Sequence, residues 1–337
     1  MPTFQMQVEI ERLPLKAPFR ISGYTFTEIP VAVVTLRSGP LMGRGEASGV
    51  YYFKDTPDQI AATLEKHRAA IERGIDREQL LELLPPGGAR NALDCALWDL
   101  EAKQAGKPVW QLVGLDHVSP RVTTFTLGAD EPSVVARGAV ELSQARALKL
   151  KLDGNVDADK ERVRLVRDAR PDVWLGVDAN QGFSLASLQA AMPTFLEAGV
   201  QLIEQPLPRG REAELDDFKS SIPLAADESV QGVADIAALV GRFQVVNIKL
   251  DKCGGLTEAL QMVNEARRLD LSVMVGNMVG TSLAMAPAFV VAQLCDYVDL
   301  DGPIFLAADR KPAVSYQGGS VFCAGPSANE TGWGDGK

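Results

Sequence analysis

Histidine is almost missing from this chain of 337 residues, which has only His67 and His117. His67 lies in the polar helical pattern AATLEKHRAAIERG and His117 follows the helix end at Gly114, so both read as surface residues. This scarcity excludes a histidine-rich zinc site and a Ser-His-Asp arrangement. Cysteine is also sparse: Cys95, Cys253, Cys295 and Cys323 are scattered without CxxC spacing, the usage of a reduced, cytoplasmic compartment. No basic run with interleaved aromatics occurs, and the net charge of −10 argues against a nucleic-acid partner. The N-terminus MPTFQMQVEIERLPLK lacks the apolar core of a signal peptide, and no stretch approaches the length of a membrane span, so no membrane partner is expected. What is present is a soluble composition, 46% hydrophobic and 23% charged, in which chemistry falls to lysines and carboxylates.

Two patterns divide the chain. Residues 1–115 read as strands first (VEIERLPL, VAVVTLRSG, MGRGEAS) and helices second (DQIAATLEKHRAAIERG, REQLLELL, GGARNALDCALWDLEAKQAGKPVWQLVG), which suggests a separate α+β domain. From about 116 to 310 short apolar strands alternate with helical stretches. RVTTFTLG, ALKLKLDG, VWLGVDAN, VQLIEQP, PLAADES, FQVVNIKL, LSVMVGN and YVDLDGP are eight such strands, the pattern of a TIM-type (β/α) barrel. No helix is evident after Pro303, and the segment 311–337 is expected to return to the first domain.

Within ALKLKLDG, Lys149 and Lys151 share one face of a strand in an otherwise apolar run, where two ammonium groups side by side repel. Taken alone this is a guarded sheet edge. The other strands alter that reading. The last inward polar residue of each gives Lys151, Asp178, Glu204, Asp227, Lys249, Asn277 and Asp299, at intervals of 27, 26, 23, 22, 28 and 22 residues. Each interval is one strand-and-helix unit, so all seven arrive at the C-terminal rim, where barrel sites lie. Singly, Asp178 in VDANQGF is turn chemistry and Asp227 in ADESV is a helix cap. Carboxylates on three successive strands repel unless a cation neutralises them, and an all-oxygen set of three suits Mg²⁺. A second ammonium and a bound cation each lower a lysine pKa toward the range useful for proton transfer, so Lys149 reads as tuning for Lys151, with Lys249 across the barrel. Lys252 is the alternative to Lys249.

The segments KLK (149–151), DAN (178–180), IEQP (203–206), ADES (226–229) and NIKLDKCGG (247–255) resemble the muconate-lactonizing-type subgroup of the enolase superfamily, as does ALDCALWDLEAKQAGKPVWQLVG before the barrel. The resemblance implies an N-terminal α+β capping domain on a (β/α)7β barrel. It implies Mg²⁺ held by Asp178, Glu204 and Asp227, with Lys151 and Lys249 as acid/base groups on opposite faces of the substrate. DLDGP (299–303) resembles the end of the eighth strand in dipeptide epimerases, where the aspartates matching Asp299 and Asp301 bind the substrate's free ammonium. Thr126 matches a threonine late in the first barrel strand, and Tyr24 lies in the capping loop PFRISGYTFTE, where members acting on Ala-Glu often carry a basic residue. Many members have a glutamate after the seventh strand where this chain has Gly280.

The activity implied is Mg²⁺-dependent isomerisation: epimerisation of a dipeptide at the Cα of its C-terminal residue, by two-lysine proton transfer through an enediolate. N-acylamino-acid racemisation, o-succinylbenzoate synthesis or cycloisomerisation on the same scaffold, or capture of peptides without catalysis, are the alternatives. The Asp299/Asp301 pair separates them, because those other substrates lack a free ammonium. The preferred side chains are not legible, and the sequence leaves a homo-oligomer open.

Overall fold

The computed structural model describes residues 3–21, 24–323 and 332–333, and the side chains of residues 20, 21 and 24 lie outside that description. The first domain opens with a three-stranded antiparallel sheet, β1 (Gln5–Ile21), β2 (Tyr24–Ser38) and β3 (Leu41–Ala47). Four helices follow: α1 (Pro57–Glu72), α2 (Arg77–Leu83), α3 (Gly88–Ala105) and α4 (Val109–Leu112). Thr56 and Asp76 close capping boxes with Gln59 and Gln79, which fixes where α1 and α2 begin. The nearly all-buried helix α3 lies against the sheet, and Gly43 and Gly45 permit the approach. A Cβ on either would sit 2.1 Å from a carbonyl oxygen of α3.

The second domain is an eight-stranded parallel sheet of β5 (Thr124–Leu127), β6 (Ala147–Lys151), β7 (Trp174–Asp178), β8 (Leu202–Glu204), β9 (Leu224–Ala226), β10 (Val245–Ile248), β11 (Ser272–Val275) and β12 (Tyr297–Val298) in sequential order. The crossovers are α5 (Pro132–Glu141), α6 (Val156–Ala169), α7 (Leu185–Glu197), α8 (Val233–Ile236), α9 (Leu250–Cys253) with α10 (Leu256–Arg268), and α11 (Ser282–Ala292). Between β8 and β9 a single 3-10 turn, Glu212–Leu215, replaces a helix. The fold is the expected modified TIM barrel with an N-terminal cap. The seam between the first and last barrel strands is bridged by side chains: Leu300 N donates to Thr123 Oγ1 at 2.9 Å, and Thr124 Oγ1 donates to Asp299.

The first barrel strand, expected as one piece, is broken at Thr123. Arg121–Val122 (β4) pairs instead with the C-terminal hairpin β13 (Val314–Gln317) and β14 (Ser320–Cys323), and Thr123 N donates to Gly319 O. Beyond it, Trp333 reaches the first domain, its backbone N donating to Asp99 and its indole N–H to Cys95 O.

Side-chain alternation layers the barrel interior. Trp174, Leu202, Ala225, Val245, Met274 and Tyr297 form a small apolar cluster at the lower end. Two residues further along, the inward positions turn polar on five strands, at Lys149, Glu204, Asp227, Asn247 and Asp299, and are Gly176 and Gly276 on two others; above them stand Lys151, Asp178 and Lys249. The outward residues, Leu148, Leu150, Leu175, Val177, Val246 and Ile248, pack under the helices in the main core. Hydrophobic burial thus holds a polar centre in place from outside and below.

Candidate active site

The charged residues meet in a cavity of about 330 Å³ at the C-terminal rim, roofed by the first domain. Lys151, Asp227, Lys249 and Asp299 are buried in its lining, as is Asp301 in the loop after β12, and Asp178 and Glu204 are buried directly behind it, against Lys151 and Lys149. Strand register builds the cluster: Lys151 lies opposite Asp178, and Asp178 opposite Glu204. Lys151 Nζ donates to Asp178 at 2.5 Å, and Lys249 Nζ donates to Asp227 at 2.6 Å. Lys151 ends the second barrel strand and Lys249 follows the sixth, so four steps of an eight-stranded barrel set them across from each other. The three carboxylates on the intervening strands line the arc between them. Gly276 leaves room for this, since a Cβ there would sit 3.0 Å from Lys249 Cε.

Lys149 does not stand beside Lys151 as a repelling pair. Its Nζ is 3.4 Å from Glu204 and is ion-paired with Asp299, which also accepts from Thr124. Burial by itself would lower the Lys149 pKa, but Asp299, Glu204 and Asp178 outweigh it and hold the group above its ordinary value. Lys249 behaves alike: burial is overcome by Asp227, Glu204 and Asp178, and its pKa is raised. Each ammonium lies directly against a carboxylate, and attraction at contact exceeds both desolvation and the repulsion of a second lysine.

The carboxylates divide in the same way. Asp227, between Lys249 and Lys252, is held below its ordinary pKa despite its burial, and so is Asp299 by Lys149. Burial and the neighbouring Asp178 push Glu204 up to about 7, and burial with Asp227 and Asp178 pushes Glu228 up to about 8. Asp301, raised to about 6 by burial and by Asp299, accepts from Thr126 N at 2.6 Å and has no ion pair among the described residues.

As the side chains stand, no group of three His, Cys, Asp or Glu among the described residues is gathered to hold a metal ion. Asp178 is turned to Lys151, Asp227 to Lys249 and Lys252, and Glu204 to Lys149 and Asn247. The chemistry of the set nevertheless fits a hard divalent cation. All donors are oxygen, negative charge is in excess around Glu204 and Glu228, and the buried Glu228 Oε2 and Asn180 Oδ1 lack hydrogen-bond partners.

Several contributors escaped the sequence reading. Asn247 points inward two residues before Lys249 and donates to Glu204 at 2.7 Å, a position that strand alternation alone identifies. Lys252, read from the sequence only as the alternative to Lys249, is 2% exposed and reaches back from α9 to Asp227 O and Oδ1 at 2.5 and 2.6 Å, a role the sequence reading did not give it. It lies on a helical turn, where period-two reasoning gives no direction. Thr124 and Glu228 likewise carried no signal of their own. Thr126 lines the cavity as expected, whereas the side chain of Tyr24 lies outside the described residues. Beside Gly280 sits Glu46 of the first domain, which accepts from Thr281 N and Oγ1; a Cβ on Gly280 would be 3.0 Å from it.

Comparison with known proteins gives consistent matches. Residues 4–114 match the mandelate racemase / muconate lactonizing enzyme N-terminal domain, and residues 133–321 match the enolase C-terminal domain-like family. An L-Ala-D/L-Glu epimerase of Escherichia coli (strain K12) is 38% identical over 92% of this chain and 97% of its own length. A hydrophobic dipeptide epimerase of Roseobacter litoralis is 41% identical over 95% and 96%. The crystal structure of a dipeptide epimerase from Methylococcus capsulatus, complexed with Mg and L-Arg-D-Lys, is 32% identical and superposes with a TM-score of 0.92 over 99% of both chains.

Proposed function

The chain belongs to the mandelate racemase / muconate lactonizing enzyme family of the enolase superfamily, and from that premise we propose that it is an isomerase epimerising a dipeptide at the Cα of its C-terminal residue. The observation that carries this reading is the placement of two buried lysines across one cavity, with carboxylates on one arc between them and Asp299 and Asp301 on the other. Asp178, Glu204 and Asp227 would hold Mg²⁺. When bound, the ion supplies positive charge beside the substrate carboxylate and stabilises the negative charge left as Cα loses its proton.

The residues of the chain do the rest. Lys151 and Lys249 approach Cα from opposite sides, one removing the proton and the other, as an ammonium, returning one to the far face. In the direction that uses Lys249 as acid, Lys151 is the base, and the roles exchange in reverse. Asp301, a buried carboxylate with no ammonium of its own, takes the substrate's free N-terminus. Lys149 and Thr124 hold Asp299 beside it. The N-acyl and lactone-forming readings leave Asp301 buried without a counter-charge, which disfavours them.

We further place the domain boundaries near 115 and 310, and the protein in the cytoplasm, in keeping with four buried cysteines that form no disulfide. Among the described residues no helix is long and apolar enough to cross a membrane. The test is incubation with L,L-dipeptides and Mg²⁺ in D₂O. The L,D diastereomer and deuterium at the C-terminal Cα are expected, with both lost in EDTA. A broad panel giving neither product contradicts the reading.

A further inference from the structure

Resting on the epimerase reading, the geometry points to a side-chain class for the substrate: we propose that the C-terminal residue of the dipeptide carries an apolar or aromatic side chain. With Cα between Lys151 and Lys249, the carboxylate over the acidic arc and the ammonium at Asp301, the remaining substituent can leave only toward the roof. There the described lining is largely apolar and is supplied by both domains. Phe19 of β1 packs on Phe305 of the barrel with ring centroids 4.6 Å apart, and Phe26 of β2 meets Tyr51 edge-on at 5.5 Å. Met278, after β11, adds a polarisable wall. These groups lower the polarity of the space and favour burial of an apolar side chain.

Among the described residues the charges around the roof disfavour the other classes. An acidic side chain needs a cation, and each lysine lining the cavity is already against a carboxylate. Arg12, at the rim, is paired with Glu28 at 2.5 Å and is 66% exposed. A cationic side chain needs an anion under the roof, and Asp55 is engaged by Gly88 N at 2.7 Å, Asp58 is exposed on the first turn of α1, and Glu228 lies next to Asp227 on the acidic arc rather than under the roof. A charged side chain under the roof would therefore be desolvated without a partner.

The experiment measures kcat/KM for deuterium incorporation at the C-terminal Cα of L-Ala-L-Phe, L-Ala-L-Leu, L-Ala-L-Glu and L-Ala-L-Lys, using the full chain with Mg²⁺. The Phe and Leu dipeptides are expected to exceed both charged ones at least tenfold. Equal or faster turnover of the Glu or Lys dipeptide overturns the proposal while leaving the epimerase reading intact. No exchange from any dipeptide overturns that reading, and the proposal with it. The variant Phe26→Arg locates the effect: it should move the Glu-to-Phe preference at least tenfold toward Glu, and an unchanged ratio overturns the placement of the side chain under the roof.

Discussion

Asp301 is the side chain on which the proposed ammonium site rests. It is buried, raised to about 6 by its surroundings and without an ion pair among the described residues, whereas Asp299 beside it is neutralised by Lys149. Removing its charge should lose one charge-assisted bond to the substrate ammonium, worth about 1.5–3 kcal/mol, or roughly 10–150-fold in kcat/KM. Steady-state kinetics of Asp301→Asn on a dipeptide measures this, and the loss should appear chiefly in KM, since the bond forms in ground and transition state alike. The strand-end residues were legible because period-two alternation and regular spacing predict both face and height in a barrel. Lys252 and Thr124 were not, since their roles depend on a helical turn reaching back and on how two distant strands meet. The ion pairs were not legible either: sequence shows which charges converge, not which pair ends in contact.

At the scale of elements, the two domains are joined by buried polar contacts that no periodicity announces. Glu46 on β3 accepts from Thr281 at the start of α11 and from Arg310, which also reaches Glu11 on β1. On the other side of the cap, Asp94 of α3 accepts from Thr257 of α10. The cap roofs the cavity, so these contacts set how firmly the roof sits. Arg310→Leu should leave the Glu46 carboxylate buried without its counter-charge and lower unfolding stability by about 3 kcal/mol, measured by urea denaturation. In Glu46→Gln/Arg310→Leu the loss should be markedly smaller, because no unpaired charge remains buried. Gly280 becomes intelligible in the same frame, since a side chain there would press on Glu46. The strands and long helices were legible from alternation and capping signals. The break at Thr123 was not, because it is imposed by the C-terminal hairpin almost 200 residues away.

Across the whole molecule, excess buried acid makes stability depend on pH in a defined direction. Asp94 and Asp301 are raised to about 6, Glu204 and Asp251 to about 7 and Glu228 to about 8, mainly by burial. Unfolded, these groups titrate near 4, so between about pH 4 and 8 the folded chain binds more protons and stability falls as pH rises. The lowered Asp227 and Asp299 lose their contribution only below this window, and the raised Lys149 and Lys249 lose theirs only above it. The metal-free protein should therefore melt at least about 5 °C lower at pH 8 than at pH 5. Saturating Mg²⁺ should raise the melting temperature more at pH 8, because protons must leave the carboxylates for the ion to bind. Differential scanning calorimetry at the two pH values, with and without Mg²⁺, measures both effects.

The central claim is that Lys151 and Lys249 act on one carbon from opposite sides, and it is tested most directly by proton NMR of Lys151→Met and Lys249→Met in D₂O with each diastereomer of one dipeptide. The account predicts that neither variant epimerises, that each exchanges the Cα proton of one diastereomer only, and that the two variants exchange opposite ones. Exchange of the same diastereomer by both variants, or epimerisation surviving in either, would contradict it.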